Sequence, residues 1–240
     1  MRLQVLVTFI ALVFSISVFA ETSAKVLEDV QSYDNAVKMM QEEFAKIPEN
    51  PSNLWWLSEK VKHMTAVDQY TRNFATKTPK EHDYSIEESE EFGELMGSRQ
   101  QFVDSTNTDY LKKTLKVFDW FLISLFGTQV DSDAWLLVQH ADHDVEFQKL
   151  VLTRLRRLYP KGETSPKNYA YLYDRIAASW QDESKRTFQR YGTQGECISK
   201  TLWLPIPIED QKNVDARRKR MGLTTLEEYI KIASSVCKYY

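Results

Sequence analysis

From Val26 to Ile47 the apolar residues Val26, Val30, Tyr33, Val37, Met40, Phe44 and Ile47 recur at alternating four- and three-residue steps. A strand points successive side chains to opposite faces and cannot gather this set on one side. An α-helix places all seven on a single stripe. The spacing therefore predicts an amphipathic helix of about six turns, ended by Pro48 and Pro51. A second helix is predicted from Ser52 to about Phe74, with Leu57, Val61 and Met64 on its apolar stripe. Residues 76–91 are polar and acidic without an apolar period, and read as a surface loop whose charge run is a solvated face.

Further along, helices are expected from about Glu94 to Asp104 and again from Thr108. The stretch Val117–Phe126 is apolar enough to be buried, but its period does not separate helix from strand, and Gly127 stops it. Asp131 or Ser132 is a suitable cap for a long helix from about Asp133 to Tyr159, terminated by Pro160 and Gly162. Ser165 followed by Pro166 opens a helix to about Trp180. Residues 181–208 read as irregular, with a turn-rich Tyr191-Gly192-Thr193-Gln194-Gly195 and an extended Trp203–Ile208. A short basic helix spans about Val214–Met221, ended by Gly222. A last one starts at Thr224 or Thr225, each with Glu three residues later as a capping box, and runs to about Lys238. Only seven Gly and seven Pro are available in 240 residues, too few for an all-β fold with many tight turns. The expected fold class is all-α: one multi-helix domain with a loop-rich segment near residues 181–208.

The first twenty residues stand apart. Arg2 precedes an apolar run from Leu3 to Phe19, and Val18-Phe19-Ala20 matches a signal-peptidase site. Cleavage before Glu21 is expected, leaving residues 21–240 as the mature domain. The alternative is an uncleaved anchor, but the run is shorter than the ~20 residues a spanning helix needs. No later stretch is long and apolar enough to span a bilayer, so stable membrane insertion after cleavage is not expected, and the location is periplasmic or secreted. Without Arg2 the chain has 30 basic and 34 acidic residues, a balance that argues against nucleic acid or an anionic membrane surface as partner. The two cysteines, Cys197 and Cys237, read as a disulfide in an oxidising compartment, the alternative being two free or buried thiols.

A polar residue on a core-facing stripe is informative, because burying it unpaired is costly. Asp68 continues the stripe of Leu57, Val61 and Met64, and Arg72 follows one turn later, close enough to pair with it. On the predicted long helix, Leu137, His140, Asp144, Phe147, Val151, Leu155 and Leu158 share a stripe, so His140 and Asp144 are expected to sit one turn apart and to hydrogen-bond. Asp142, His143 and Glu146 fall on the other side and read as solvated. His140 and Asp144 have acceptable spacing for two metal ligands, with Asp68 or Asp174 as a distant third. There is, however, no HExxH arrangement, and the metal reading is the weaker one. Neither a GxSxG elbow nor a phosphate-cradling glycine loop occurs.

These residues also carry a resemblance. Asp68-Gln69-Tyr70-Thr71-Arg72, Gln139-His140-Ala141-Asp142, Tyr171-Leu172-Tyr173-Asp174-Arg175 and Tyr191-Gly192-Thr193-Gln194, followed by Asp215-Ala216-Arg217-Arg218 and Met221-Gly222-Leu223, are similar in order to the motifs of a family of bacterial proteins of unknown function. The likeness covers about residues 55–230. One element departs from it: Asp119-Trp120-Phe121 stands where the family tends to have Gly-Trp-Pro. The resemblance implies no activity, but it marks Asp68, Arg72, Gln139, His140, Asp174, Arg175, Tyr191 and Gln194.

Three functions follow from this set. In the first, the chain is an enzyme with general acid–base chemistry, with His140 as base or acid, Asp144 or Asp174 orienting it, Arg72 or Arg175 holding an anionic or carbonyl group, and Gln194 donating. Asp68, Gln139 and Tyr191 complete the expected pocket. Hydrolysis is the default reaction, because exported enzymes have water at hand but few diffusible cofactors, and none is expected. In the second, the same cluster binds a small molecule or peptide without turnover. In the third, the polar network only fixes helix register.

Overall fold

The computed structural model describes residues 22–179 and 182–237, so the predicted leader and its cleavage site lie outside the described residues, as do Trp180 and Lys238. Among the described residues eight α-helices and one hairpin form a mostly helical domain: α1 (Ala24–Phe44), α2 (Leu54–Glu81), α3 (Ile86–Thr114), α4 (Ile123–Gln139), α5 (Val145–Leu158), α6 (Pro166–Ala178), β1 (Gly195–Ser199), β2 (Leu202–Pro205), α7 (Val214–Arg220) and α8 (Leu226–Ser234). The all-α expectation is met. The loop-rich segment contains the antiparallel pair β1–β2, and the predicted disulfide joins β1 to the chain just beyond α8, with Cα atoms of Cys197 and Cys237 5.5 Å apart. Among the described residues no helix is long and apolar enough to cross a membrane.

Residues 76–91 are not a loop. α2 continues to Glu81 through Pro79, and α3 begins at Ile86 behind a Ser85–Glu88 capping box, with Glu87 and Glu88 in its first turn. The acidic run has no apolar period because this part of the two helices is largely exposed. The glutamates instead favour the positive N-terminal end of α3. α3 also runs unbroken through Ser105–Asn107 to Thr114, with the Thr108 hydroxyl donating back to the Asp104 carbonyl at 2.8 Å. Within the apolar stretch, Trp120 and Phe121 are buried as expected, but Val117 is exposed.

The long helix expected over 133–159 is two helices. Gly127, at φ 79°, kinks α4 near its start, so Asp131 is no cap but a buried clamp. Its carboxylate accepts from the Trp120 indole (2.6 Å), the Thr164 hydroxyl (2.6 Å), the Ser165 amide (3.1 Å) and the Asn168 side chain (2.9 Å). That fixes the start of α6 against α4. α4 ends at Gln139 with His140 as its C-cap, and Asp144 restarts the chain as N-cap of α5, accepting from the Phe147 amide at 3.0 Å. Gln148, fully buried one turn into α5, donates to the carbonyls of Val138 (3.1 Å) and Gln139 (3.4 Å) at the end of α4 and to Asp142 Oδ1 (3.2 Å). The interruption is thus built in, with carbonyls at the end of one helix capped by a side chain of the next.

The larger core joins α2, the end of α3, α4, α5 and α6 around Leu57, Val61, Leu137, Val151, Leu155 and Leu172. A smaller one packs Val26, Val30 and Tyr33 of α1 against Phe92 and Met96 of α3.

Candidate functional site

The interruption between α4 and α5 turns a tight five-residue segment toward α2, α3 and α6, and the polar residues collect there. Asp68 of α2 is almost fully buried. Its Oδ1 lies 2.9 Å from His140 Nδ1 and accepts from Arg72 Nε at 3.1 Å, while Oδ2 accepts from the Gln69 side chain at 2.7 Å. Arg72 Nε is also 3.1 Å from His140 Nδ1, and its Nη2 donates to Asp104 Oδ1 on α3 at 2.6 Å. Nδ1 thus faces a carboxylate oxygen at 2.9 Å and the Arg72 Nε–H at 3.1 Å, and donation to Asp68 requires the tautomer with hydrogen on Nδ1. The opposite ring nitrogen, Nε2, makes no hydrogen bond among the described residues.

Burial alone would raise the Asp68 carboxyl, but the hydrogen bond and charge of His140 with the charge of Arg72 outweigh it, and Asp68 is held below its ordinary range. Asp104 goes the other way. Burial pushes it above the usual carboxylate range despite Arg72, and the neighbouring Asp68 adds to the push. Two carboxylates on one guanidinium are thereby driven apart in proton affinity.

A second ion pair sits beside the first. Arg175 of α6 makes a bidentate pair with Asp142, through Nε to Oδ1 at 2.9 Å and through Nη2 to Oδ2, and its Nη1 donates to Gln194 Oε1 at 3.4 Å. Arg72, Gly97, Gln100, Gln101, Asp104, His140, Asp142, His143 and Arg175 line an open cavity of about 390 Å³, a size suited to a small ligand.

The expected residues therefore divide. Asp68, Arg72, His140 and Arg175 are brought together, with Gln194 behind Arg175. Asp144 is not in the cluster. Because the helix breaks at His140, the expected spacing of one turn does not exist, and Asp144 is instead paired with Lys112 (2.6 Å), whose hydrogen bond holds its carboxyl low. Asp174 is sealed. It accepts from the amides of Arg190 (2.8 Å), Tyr191 (3.2 Å) and Thr193 (2.9 Å) and from the Thr193 hydroxyl (3.0 Å). Burial raises its carboxyl in spite of these donors. It clamps the 190–193 turn onto α6 and orients no imidazole. Gln139 faces the α6 side, where its amide oxygen can accept from Leu172 N (2.9 Å) and the Trp135 indole (3.3 Å). Tyr191 lines a different cavity.

Asp142, read as solvated, is half-buried and paired with Arg175, while His143 and Glu146 are exposed as expected, His143 at the rim of the cavity. Asp142 could have been found through its place in Gln139-His140-Ala141-Asp142. Asp104 carried no sequence signal, since α3 reaches the cluster only in three dimensions.

Ligand atoms of Asp68, Asp104 and His140 lie within 4.8 Å of one another, a spacing that would suit a metal ion. Arg72 is within 2.6–3.1 Å of all three. A guanidinium thus supplies the positive charge at this point, and a metal ion would have to displace it.

The chain belongs to a family described as a family of unknown function, DUF6624, whose model matches residues 57–238. The match starts in the first turn of α2 and contains every residue of the cavity, while α1 precedes it. No curated protein and no solved structure matches the chain.

Proposed function

We propose that the cavity between α2, α3, α6 and the α4–α5 turn is an acid–base site that hydrolyses a small molecule or peptide. The observation that carries the reading is the Asp68–His140 pair. Its 2.9 Å contact occupies Nδ1 and leaves Nε2 as the ring's only basic atom, as a general base for water requires. Asp68 takes the orienting role that the sequence assigned to Asp144 or Asp174. Asp104, with its raised proton affinity, is suited to return a proton to a leaving group, and Arg72 and Arg175 supply positive charge for an anionic or carbonyl oxygen. No cofactor is needed for this chemistry. The Cys197–Cys237 disulfide supports work in an oxidising location, periplasmic or secreted. An excess of acidic residues supports a partner other than nucleic acid.

A second reading rests on a specific observation. Arg72 already satisfies Asp68 and Asp104, and Asp142 satisfies Arg175, as in a network that only fixes how α2, α3, α4 and α6 meet. The variant His140→Gln separates the two. Wild type and variant are compared on chromogenic esters, amides and phosphoesters, with thermal unfolding in parallel. The enzymatic reading expects turnover that falls by roughly 10²–10⁴-fold with little change in stability. Absence of turnover together with a lowered melting temperature favours the structural network. A ligand that binds wild type, loses affinity for the variant and is never converted makes the site a binding pocket.

A further inference from the structure

A cluster of arginines and tyrosines lies away from this cavity. Arg156 of α5, Tyr159, Tyr169 and Tyr173 of α6, Arg190, Tyr191, and Arg217 and Arg220 of α7 line a second cavity of about 550 Å³ together with Met221. It shares no lining residue with the first. No acidic residue lines it, in a protein whose net charge is −3.

Two of the four arginines are already committed. Arg217 is buried and donates to the carbonyls of Arg190, Glu209 and Asp210, and Arg190 is paired with Glu209 at 2.7 Å. Arg156 and Arg220 are exposed and have no hydrogen bond or ion pair among the described residues. The tyrosines add a second, independent observation. Tyr191 and Tyr169 are only 3% and 7% exposed, yet their hydroxyls hydrogen-bond to nothing among the described residues and neither oxygen is sealed from solvent. Both tyrosines line the cavity, so their unpartnered hydroxyls are available to a ligand there. Burial raises both phenols, Tyr191 to about 12, so they stay protonated and can only donate to an anion. The rings adjoin one another, Tyr159–Tyr169 at 5.1 Å, Tyr169–Tyr173 at 6.2 Å and Tyr173–Tyr191 at 6.2 Å between centroids.

We propose that this cavity binds a small organic phosphate, with its phosphoryl group held by Arg156 and Arg220 and by the Tyr169 and Tyr191 hydroxyls, and its organic ring against the tyrosines. Guanidinium forks and phenolic donors match the three oxygens and double charge of a phosphate monoester. The cavity has room for a ligand well beyond the phosphate itself.

Isothermal titration with phenyl phosphate, inorganic phosphate and phenol tests this on the folded, disulfide-bonded protein. Phenyl phosphate should bind, inorganic phosphate should bind about ten-fold more weakly, and phenol should not bind. The double variant Arg156→Ala/Arg220→Ala changes two exposed side chains and should weaken phenyl phosphate by about ten-fold or more. Tyr191→Phe, which keeps the ring, should weaken it several-fold. Equal affinity for phenyl phosphate and inorganic phosphate overturns the aromatic half of the proposal. Unchanged binding by the double variant, or binding that is lost in His140→Gln instead, overturns the site altogether.

Discussion

Asp68 and His140, 72 positions apart in the chain, are joined by one 2.9 Å contact between the carboxylate and Nδ1. Neither residue could hold this geometry by itself. Asp68 is fixed by the stripe of α2 that packs into the core, and His140 by a turn whose carbonyls Gln148 caps.

That pair makes stability depend on acid in a predictable direction. The carboxyl of Asp68 is more acidic folded than unfolded, so its contribution is complete above the ordinary carboxylate range and is lost as pH falls through the depressed value. Asp68→Asn should therefore cost about 3–5 kcal/mol at neutral pH, the range for breaking a buried ion pair. The gap to wild type should narrow below the usual carboxylate range. Urea unfolding of both proteins across that pH range measures it, and a gap that does not vary with pH contradicts the assignment.

Asp174 should matter for a loop rather than for chemistry. Asp174→Asn replaces one accepting oxygen with a donor that faces the amides of Arg190, Tyr191 and Thr193. A loss of about 1–3 kcal/mol is expected for the donors left unsatisfied. In hydrogen exchange the Tyr191 and Thr193 amides should lose protection first, while those of α2 and α4 change little.

Gly195 has no room for a side chain. A Cβ there would lie 2.2 Å from the Leu204 carbonyl oxygen and 2.4 Å from the Trp203 ring. Gly195→Ala must push β1 from β2, and a loss of about 1–3 kcal/mol is expected from such overpacking. Thermal unfolding reads it, and Gly97→Ala, where nothing lies within 4 Å, is the control that should be neutral or mildly stabilising.

Reduction of Cys197–Cys237 should lower stability by roughly 3–4 kcal/mol, the chain-entropy expectation for a loop of about 40 residues. The effect should centre on the hairpin and α8. The cluster around His140 belongs to other elements, so His140 ring signals in NMR spectra should not move in the reduced, still folded protein.

Much of the architecture was legible from pattern. The stripe from Val26 predicted α1, Ser165-Pro166 predicted α6, and the Thr225–Glu228 capping box predicted α8, because caps and periodicity act within a few residues. The pairing of Asp68 with Arg72 was legible for the same reason, both lying on one helix one turn apart. Residues 76–91 were not, since a helix with little core contact leaves no apolar period to read.

What the sequence alone determined was therefore local: a helical chain, a polar pair on a buried stripe, and two cysteines available to each other. Tertiary structure decided which partners those groups take. The apolar spacing from Leu137 to Leu158 fits one continuous helix. In the fold the chain instead turns at His140, where the side chain of Gln148, the N-cap at Asp144 and the contacts with Asp68 and Arg72 of α2 come together. Burial and hydrogen-bond satisfaction depend on distances between segments far apart in sequence, and no local pattern encodes them. The same reason hid Asp104, and it separated Asp174 and Tyr191 from the cavity that Arg175 lines.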